Sequence, residues 1–404
     1  MRARWLIPVA GRALDGGWVR IERRRIVAIG AGRPSGPSTD LGDVVLLPGL
    51  VNAHTHLEFS RLERPIAADG GLSGWIARLV AVRRQAAGPG DHRSAVADGL
   101  AESLAAGVTA LGEIATAPMP TVPRPAPRLR VYRECLGLGP AAIDRAKAAL
   151  ATARAVAPPG VFPGVSPHAP YSVAAPLARW LVAAARRQRL PLALHLAESA
   201  DEAGLIEDGT GPFRELLEGL GAWPTPPPSL LTAPQWLALS ARAPRALVVH
   251  ATHLAGAAPG SLECLARHRR RLAVAVCPRT ALLLAGRLPP IDCLRATGVR
   301  LALGTDGRGS APDLDLRAEC RTLVEAGLVS PAEALAMATV DAAWGIGLEH
   351  LCGRLAVGRP ADLTAIATGP TGDPHAALLD PAARVVLTLV GGRVAHGSVP
   401  DRGT

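Results

Sequence analysis

Apolar positions along the chain fall into two regimes. At both ends, over 1–48 and 353–404, they alternate with polar positions around Gly-rich turns, as in GGWVRIERRRIVAIGAG and ARVVLTLVGGRVAHG. A period of two is that of half-buried antiparallel strands. Neither end is large enough for a sandwich of its own, so the two are predicted to join as one composite β-sandwich domain. Over 49–352 the pattern changes. Eight short apolar runs recur, GLVNAHTH, GVTALGEI, RLRVYREC, GVSPHAP, LPLALHLAE, ALVVHATH, LAVAVCPRT and VRLALGTD. Amphipathic segments such as AAIDRAKAALATARAVA and APLARWLVAAARRQ lie between several of them. Strand alternating with helix eight times predicts an α/β fold, a (β/α)₈ TIM-type barrel. No internal repeat is evident. The Pro-rich stretch AWPTPPPSLLTAPQW at 222–236 reads as an insertion between the fifth and sixth strands, either a spacer or a lid.

Barrel chemistry collects where the strands end. The first run ends in His54-Thr55-His56, and alternate residues of a strand face the same side, so both imidazoles can enter the barrel mouth together. His168 ends the fourth run, His195 the fifth with Glu198 three residues on, His250 the sixth and Asp306 the eighth. A lone histidine is usually a satisfied structural residue. Five of the 11 histidines plus an Asp at these ends are not explained that way, because buried imidazoles and carboxylates are costly unless paired or metal-bound. Three neutral imidazoles and one carboxylate suit one divalent transition metal, Zn²⁺ ahead of Fe²⁺, with a position left for water. His92, His253, His268, His350, His375 and His396 fall in loops or helices and read as structural, His253 being the nearest to the set. Glu113 and Glu134 end the second and third strands, salt-bridged or facing substrate.

Composition changes this picture little. The 404 residues are 49% hydrophobic and 19% charged, an ordinary globular balance. The net charge of +10 raises the question of nucleic acid. Of the 44 Lys and Arg residues only Lys147 is lysine, a bias of GC-rich coding, and the arginines are scattered, with the densest runs at Arg23–Arg25 and Arg269–Arg271. Aromatics are 3%, too few for stacking platforms, so no nucleic-acid partner is expected. The six Cys form no CxxC pair and read as small buried hydrophobes. No apolar run reaches membrane-spanning length and the N-terminal apolar stretch is too short for a signal peptide. A cytoplasmic chain with reduced thiols, no membrane partner and a small-molecule substrate is expected, with homodimerisation left open.

PGLVNAHTHLE, SPHAPYSV, HLAES, CPRT and LGTDGRGSAPDLDL resemble the amidohydrolase superfamily. Within it they look like the branch of chlorohydrolases and of S-adenosylhomocysteine, methylthioadenosine and aminodeoxyfutalosine deaminases. The resemblance covers nearly the whole chain, including the split terminal β domain. It implies that His54, His56, His195 and Asp306 are metal ligands and that Glu198 shuttles a proton. It further implies that His250 stands beside the attacking water with Asp306, and that His168 contacts substrate. Trp75 is a candidate contact for a substrate ring or else a helix-core tryptophan, and Arg279 a candidate contact for an anionic group or else a surface or structural arginine. Two departures stand out: Gly309-Ser310-Ala311-Pro312, where many relatives have Asn, and Arg279-Thr280, where many have Ser-Asn. A lysine-bridged two-metal site is excluded, since Lys147 lies in the helix before the fourth strand, and the PCxxC motif of cytidine deaminases is absent. The expected function is hydrolytic deamination of an aminated N-heterocycle such as a modified adenosine. The alternatives are dechlorination or dealkylamination of a triazine-like ring at the same site and, in another class, a non-catalytic barrel that binds or supports.

Overall fold

A computed structural model of the chain describes residues 1–9, 11–85, 88–122, 124–155, 160–257 and 259–399. All eight predicted runs form strands: β1 (Leu50–Thr55), β2 (Val108–Ala115), β3 (Arg128–Cys135), β4 (Val161–Pro167), β5 (Leu192–Leu196), β6 (Ala246–His250), β7 (Leu272–Val276) and β8 (Arg300–Leu303). They lie in chain order, every neighbour parallel. A parallel bridge between Thr55 and Asp306 closes β8 onto β1, and the amides of Thr305 and Asp306 both donate to the His54 carbonyl at 3.1 Å. Closure needs a bare backbone at Gly304, where a Cβ would lie 2.8 Å from that of His54. The barrel interior is filled by small side chains such as Ala53, Ala110, Ala193, Ala273, Ala275 and Ala302.

The strands' outer faces pack against the surrounding helices. Ala175–Gln188 shows why such segments are helical. Its first turn carries a Pro, Leu177, Ala178, Leu181, Val182 and Ala185 form one buried stripe, and Arg186 and Arg187 sit at the negative end of the dipole before Arg189 turns left-handed.

The two chain ends meet in one six-stranded sheet. Its order is Arg393–Gly397, Arg384–Val390, Leu363–Ala367, Val44–Pro48, Trp5–Leu6 and Leu14–Asp15. The antiparallel pairing of Leu363–Ala367 with Val44–Pro48 joins C-terminus to N-terminus. Alternation along Val44–Pro48 sends Leu46 to a cluster with Leu6, Val19, Ile26 and Leu389, and sends Val45 and Leu47 to the barrel's own core. The hairpin Gly17–Glu22 and Arg25–Ala31 contributes Val19 and Ile26 to the first cluster, so the second β layer is only two strands wide. Among the described residues, no helix is long and apolar enough to cross a membrane.

The stretch 222–236 is mostly anchored. Leu231, Ala233 and Trp236 enter the barrel core, and Thr232 and Gln235 form a capping box that starts the helix Ala233–Ser240. Only Ala222 lines the central cavity, so the wall there comes from the preceding helix, Pro212–Gly219, and Leu220.

Candidate active site

The strand ends bring His54, His56, His195, His250 and Asp306 into one cluster. Asp306 Oδ1 lies 3.3 Å from His54 Nε2 and 3.5 Å from His56 Nε2. His56 Nε2 and His195 Nε2 are 3.3 Å apart. The ring of His250 is 5.6 Å from that of His54 and 5.4 Å from that of His195. Asp306, His250 and Ala251 hold left-handed backbone, with φ of 56°, 72° and 54°. Such strain persists only where the surroundings over-determine it, and here it sits at the turns that aim these side chains inward.

Burial, reinforced by neighbouring imidazoles, holds His54, His56 and His250 well below the ordinary histidine range, and burial lowers His195 as well. All four are therefore neutral, with lone pairs to offer. The Nδ1–H of His195 donates to the His168 carbonyl at 2.9 Å, which leaves its Nε2 as acceptor. Burial alone would raise Asp306, but the imidazoles around it and the Ser310 hydroxyl, donating at 2.6 Å, outweigh burial and lower it. Both nitrogens of His54 and Nδ1 of His56 are buried without a hydrogen-bond partner. Orphaned imidazoles converging on an ionised carboxylate are a costly arrangement without a cation. The donor set of His54, His56, His195 and Asp306 fits one divalent transition metal.

Three further carboxyl groups lie around this cluster. Glu198 Oε1 lies 3.4 Å from His250 Nε2. Burial first, then Asp306 and Glu202, pushes the Glu198 carboxyl well above its ordinary range. Glu202 accepts the Ala197 amide at 2.8 Å and is pushed up to about 8 by burial. Its role was not legible in the sequence. The only signal was a carboxylate at capping-box spacing from Ser199, and the structure turns it back onto Ala197 instead. On the other side, Glu134 Oε1 is buried without a partner, 4.0 Å from His168 Nε2, and Glu134 lines the cavity. His168 Nδ1 is 2.6 Å from Ser172 Oγ, and burial with Arg83 pushes the imidazole down to about 4. Glu113, by contrast, takes the Leu57 amide on both oxygens at 3.1 Å and serves the turn after His56. His253 does not line the cavity.

The cavity has a volume of about 200 Å³, with polar groups at its floor and an outer wall of Phe59, Trp75, Ile76, Leu79, Leu216 and Leu220. Trp75 is held in the wall by Nε1 donating to the Gly309 carbonyl at 3.1 Å. Gly309 leaves room for that ring, since a Cβ there would come within 3.3 Å of it. Arg83, a cation in the wall, is paired with Glu58 at 2.7 Å.

Of the two readings of Arg279, the structure places it in the structural one rather than as an anion contact. It is not part of the cavity wall. Its guanidinium is bound to Glu319 at 2.6 Å and Asp313 at 2.8 Å, a clamp that anchors the segment after Asp306. Its neighbour explains the paired sequence departures. Thr280 Oγ1 lies 2.9 Å from Ser310 Oγ, which in turn donates to Asp306 Oδ2, so the two unusual positions meet behind the cluster's carboxylate.

Comparisons with known proteins place the chain in a family and a fold. The model of the amidohydrolase family matches residues 45–395. The chain is 29% identical over 383 residues to a 5-methylthioadenosine/S-adenosylhomocysteine deaminase of Moorella thermoacetica, covering 89% of this chain and 83% of that one. It is 30% identical over 361 residues to the deaminase of the same description from Halobacterium salinarum, covering 84% and 77%. Among solved structures, Helicobacter pylori aminofutalosine deaminase bound to methylthio-coformycin superposes with a TM-score of 0.82 at 22% identity, covering 98% and 99% of the two chains. The zinc complex of an Arthrobacter aurescens atrazine chlorohydrolase superposes at 0.74 with 21% identity, covering 98% and 94%.

Proposed function

This chain belongs to the amidohydrolase family, and on that premise we propose that it is a metal-dependent hydrolase that deaminates an aminated N-heterocycle, such as a modified adenosine. The observation that carries the reading is the buried pair Glu198–His250 set against the cluster of His54, His56, His195 and Asp306. We infer Zn²⁺ from the three-imidazole, one-carboxylate donor set. Those four residues would hold the ion, which would supply Lewis acidity that makes water nucleophilic near neutral pH.

The chain's own groups do the rest. Asp306, oriented by Ser310 and Thr280, and His250 position the water and take its proton. Glu198, kept protonated by its burial, gives a proton to a ring nitrogen and makes the adjacent carbon electrophilic. A C–O bond forms and the C–N bond breaks: the proton that Asp306 and His250 take from water goes to the leaving amine as ammonia, the ring nitrogen keeps the proton given by Glu198, and the second water proton, lost as the new C–OH becomes C=O, returns Glu198 to its acid form. His168 and Glu134 meet the polar edge of the ring, and the apolar wall around Trp75 and Leu79 takes a substituent on it. That wall also suits an alkylated triazine losing chloride or an alkylamine, the second reading. The test is a panel of aminopurines, pterins and triazines assayed for ammonia and chloride. Ammonia release from the aminopurines supports the first reading, and chloride release alone replaces it with the second.

A further inference from the structure

The run Arg23–Arg25, unremarkable in the sequence, has an unusual setting in the fold. Glu22 pairs with Arg25, so Arg23 and Arg24 are the two-residue loop of a hairpin. Their φ angles are 45° and 69°. A loop with both central residues left-handed is normally Asn-Gly, because a full side chain pays a steric cost there. Here two arginines stand in it. The loop is also seated. The Arg24 carbonyl accepts the Ala361 amide at 3.0 Å, and a Cβ at Gly392 would come within 3.2 Å of the Arg24 Cα.

Two separate stretches add to this tip. Arg124 and Arg128 arrive from the approach to β3, and Arg393 from the C-terminal strand. With Arg23, Arg24 and Arg25 they line a depression of about 360 Å³ whose lining includes no acidic residue. Arg128 is satisfied by Asp362 at 2.6 and 3.1 Å, and Arg25 donates to the Gly358 carbonyl at 2.7 Å. Among the described residues, Arg23, Arg24, Arg124 and Arg393 form no ion pair. The depression is remote from the metal cluster. Arg128 opens β3 and Glu134 stands at its other end, roughly 20 Å away at about 3.3 Å per residue.

We propose that this depression binds a chain of linked phosphate groups. A guanidinium fork matches phosphate oxygens, and a concave wall concentrates the field of several forks. One carboxylate would answer one fork; unpaired forks from three parts of the chain call for several anionic groups in a row. Strained left-handed residues cluster at ligand clamps and switch regions, and here the strained pair lines a depression. Free tripolyphosphate and a nucleoside triphosphate share the chemistry.

The test is calorimetric titration of the metal-loaded protein with tripolyphosphate. Heat from chelation of the active-site metal is common to all variants and cancels in their comparison. One saturable site is expected, at least about tenfold weaker in Arg124→Ser/Arg393→Ser, equivalent to about 1.4 kcal/mol. Arg269→Ser/Arg270→Ser removes the same charge elsewhere and should leave affinity unchanged; an equal loss there would mean general charge attraction and overturn the proposal. Arg23→Asn/Arg24→Gly should raise the melting temperature of the ligand-free protein while weakening tripolyphosphate. Unchanged affinity in that variant, or a lower melting temperature, overturns it. A nucleoside triphosphate should compete for the site, the tighter ligand naming the source, and absence of competition also overturns it.

Discussion

At the residue scale the proposed function divides labour between groups that would hold a cation and groups that would move a proton. Glu198→Gln keeps size and hydrogen-bonding shape but cannot carry the shuttled proton. It is expected to keep its metal while kcat falls by roughly 10²–10⁴, the usual scale of general acid–base catalysis. The loss should be equal in kcat/KM, because the proton moves only on the way to the transition state. Loss of the metal would instead make Glu198 a ligand. Glu202, behind it, gives a pH prediction. Its folded-state pKa of about 8 lies above its ordinary 4.5, so the unfolded chain gives up this proton first. Stability is then fully present below about pH 4.5 and declines as pH rises from there to about 8. Glu202→Gln keeps an acceptor for the Ala197 amide and removes that titration. Its melting temperature should therefore exceed wild type by a margin that is small near pH 5 and largest near pH 8. A margin flat with pH would show that Glu202 is ionised without cost.

At the element scale the decisive contact is the closure of β8 on β1. Gly304 lies against His54, and a methyl group there would meet His54 at 2.8 to 3.1 Å on three atoms, two of them backbone. Gly304→Ala is expected to push the strands apart, cost about 1–3 kcal/mol as an overpacked site, and lower metal content because His54 is displaced. Thermal melts and metal analysis on one sample check this; full metal at unchanged stability would refute it. The eight strands and their order were legible in the sequence because each is an apolar run of strand length bounded by polar or Gly-rich residues. The role of the 222–236 stretch was not. Proline content marks an irregular backbone, but whether it covers a cavity or plugs a core depends on which faces its Leu231 and Trp236 find, and they find the core.

At the scale of the whole molecule the terminal sheet ties the chain's two ends together beside the barrel. Removing 353–404 takes Leu363–Ala367 from Val44–Pro48 and leaves that strand's edge and the cluster around Leu46 open. Insoluble or aggregated protein is the expected outcome, since an uncovered edge beside an apolar face is a template for association. A soluble, fully active fragment of residues 1–352 would show instead that the barrel stands alone.

The sequence by itself determined the period of each segment, hence the barrel and the pairing of its ends, and it placed His54, His56, His168, His195, His250 and Asp306 at strand termini. These follow from local rules, since apolar periodicity selects helix or strand and parallel strands put their C-terminal ends on one face. Only the tertiary structure decided what lies opposite what. Arg279 was free in the sequence to meet a substrate anion, and is instead spent on Glu319 and Asp313. Thr280 and Ser310, thirty residues apart, become one hydrogen-bonded support for Asp306. Glu113 and Glu134 were indistinguishable as strand-end carboxylates, and the fold gives one to a backbone turn and leaves the other open to the cavity. Six arginines from separate stretches gather around one depression. The physical reason is the same in each case: a side chain's charge and shape are written locally, but its partner is chosen by which distant backbone the closed barrel brings within hydrogen-bonding reach.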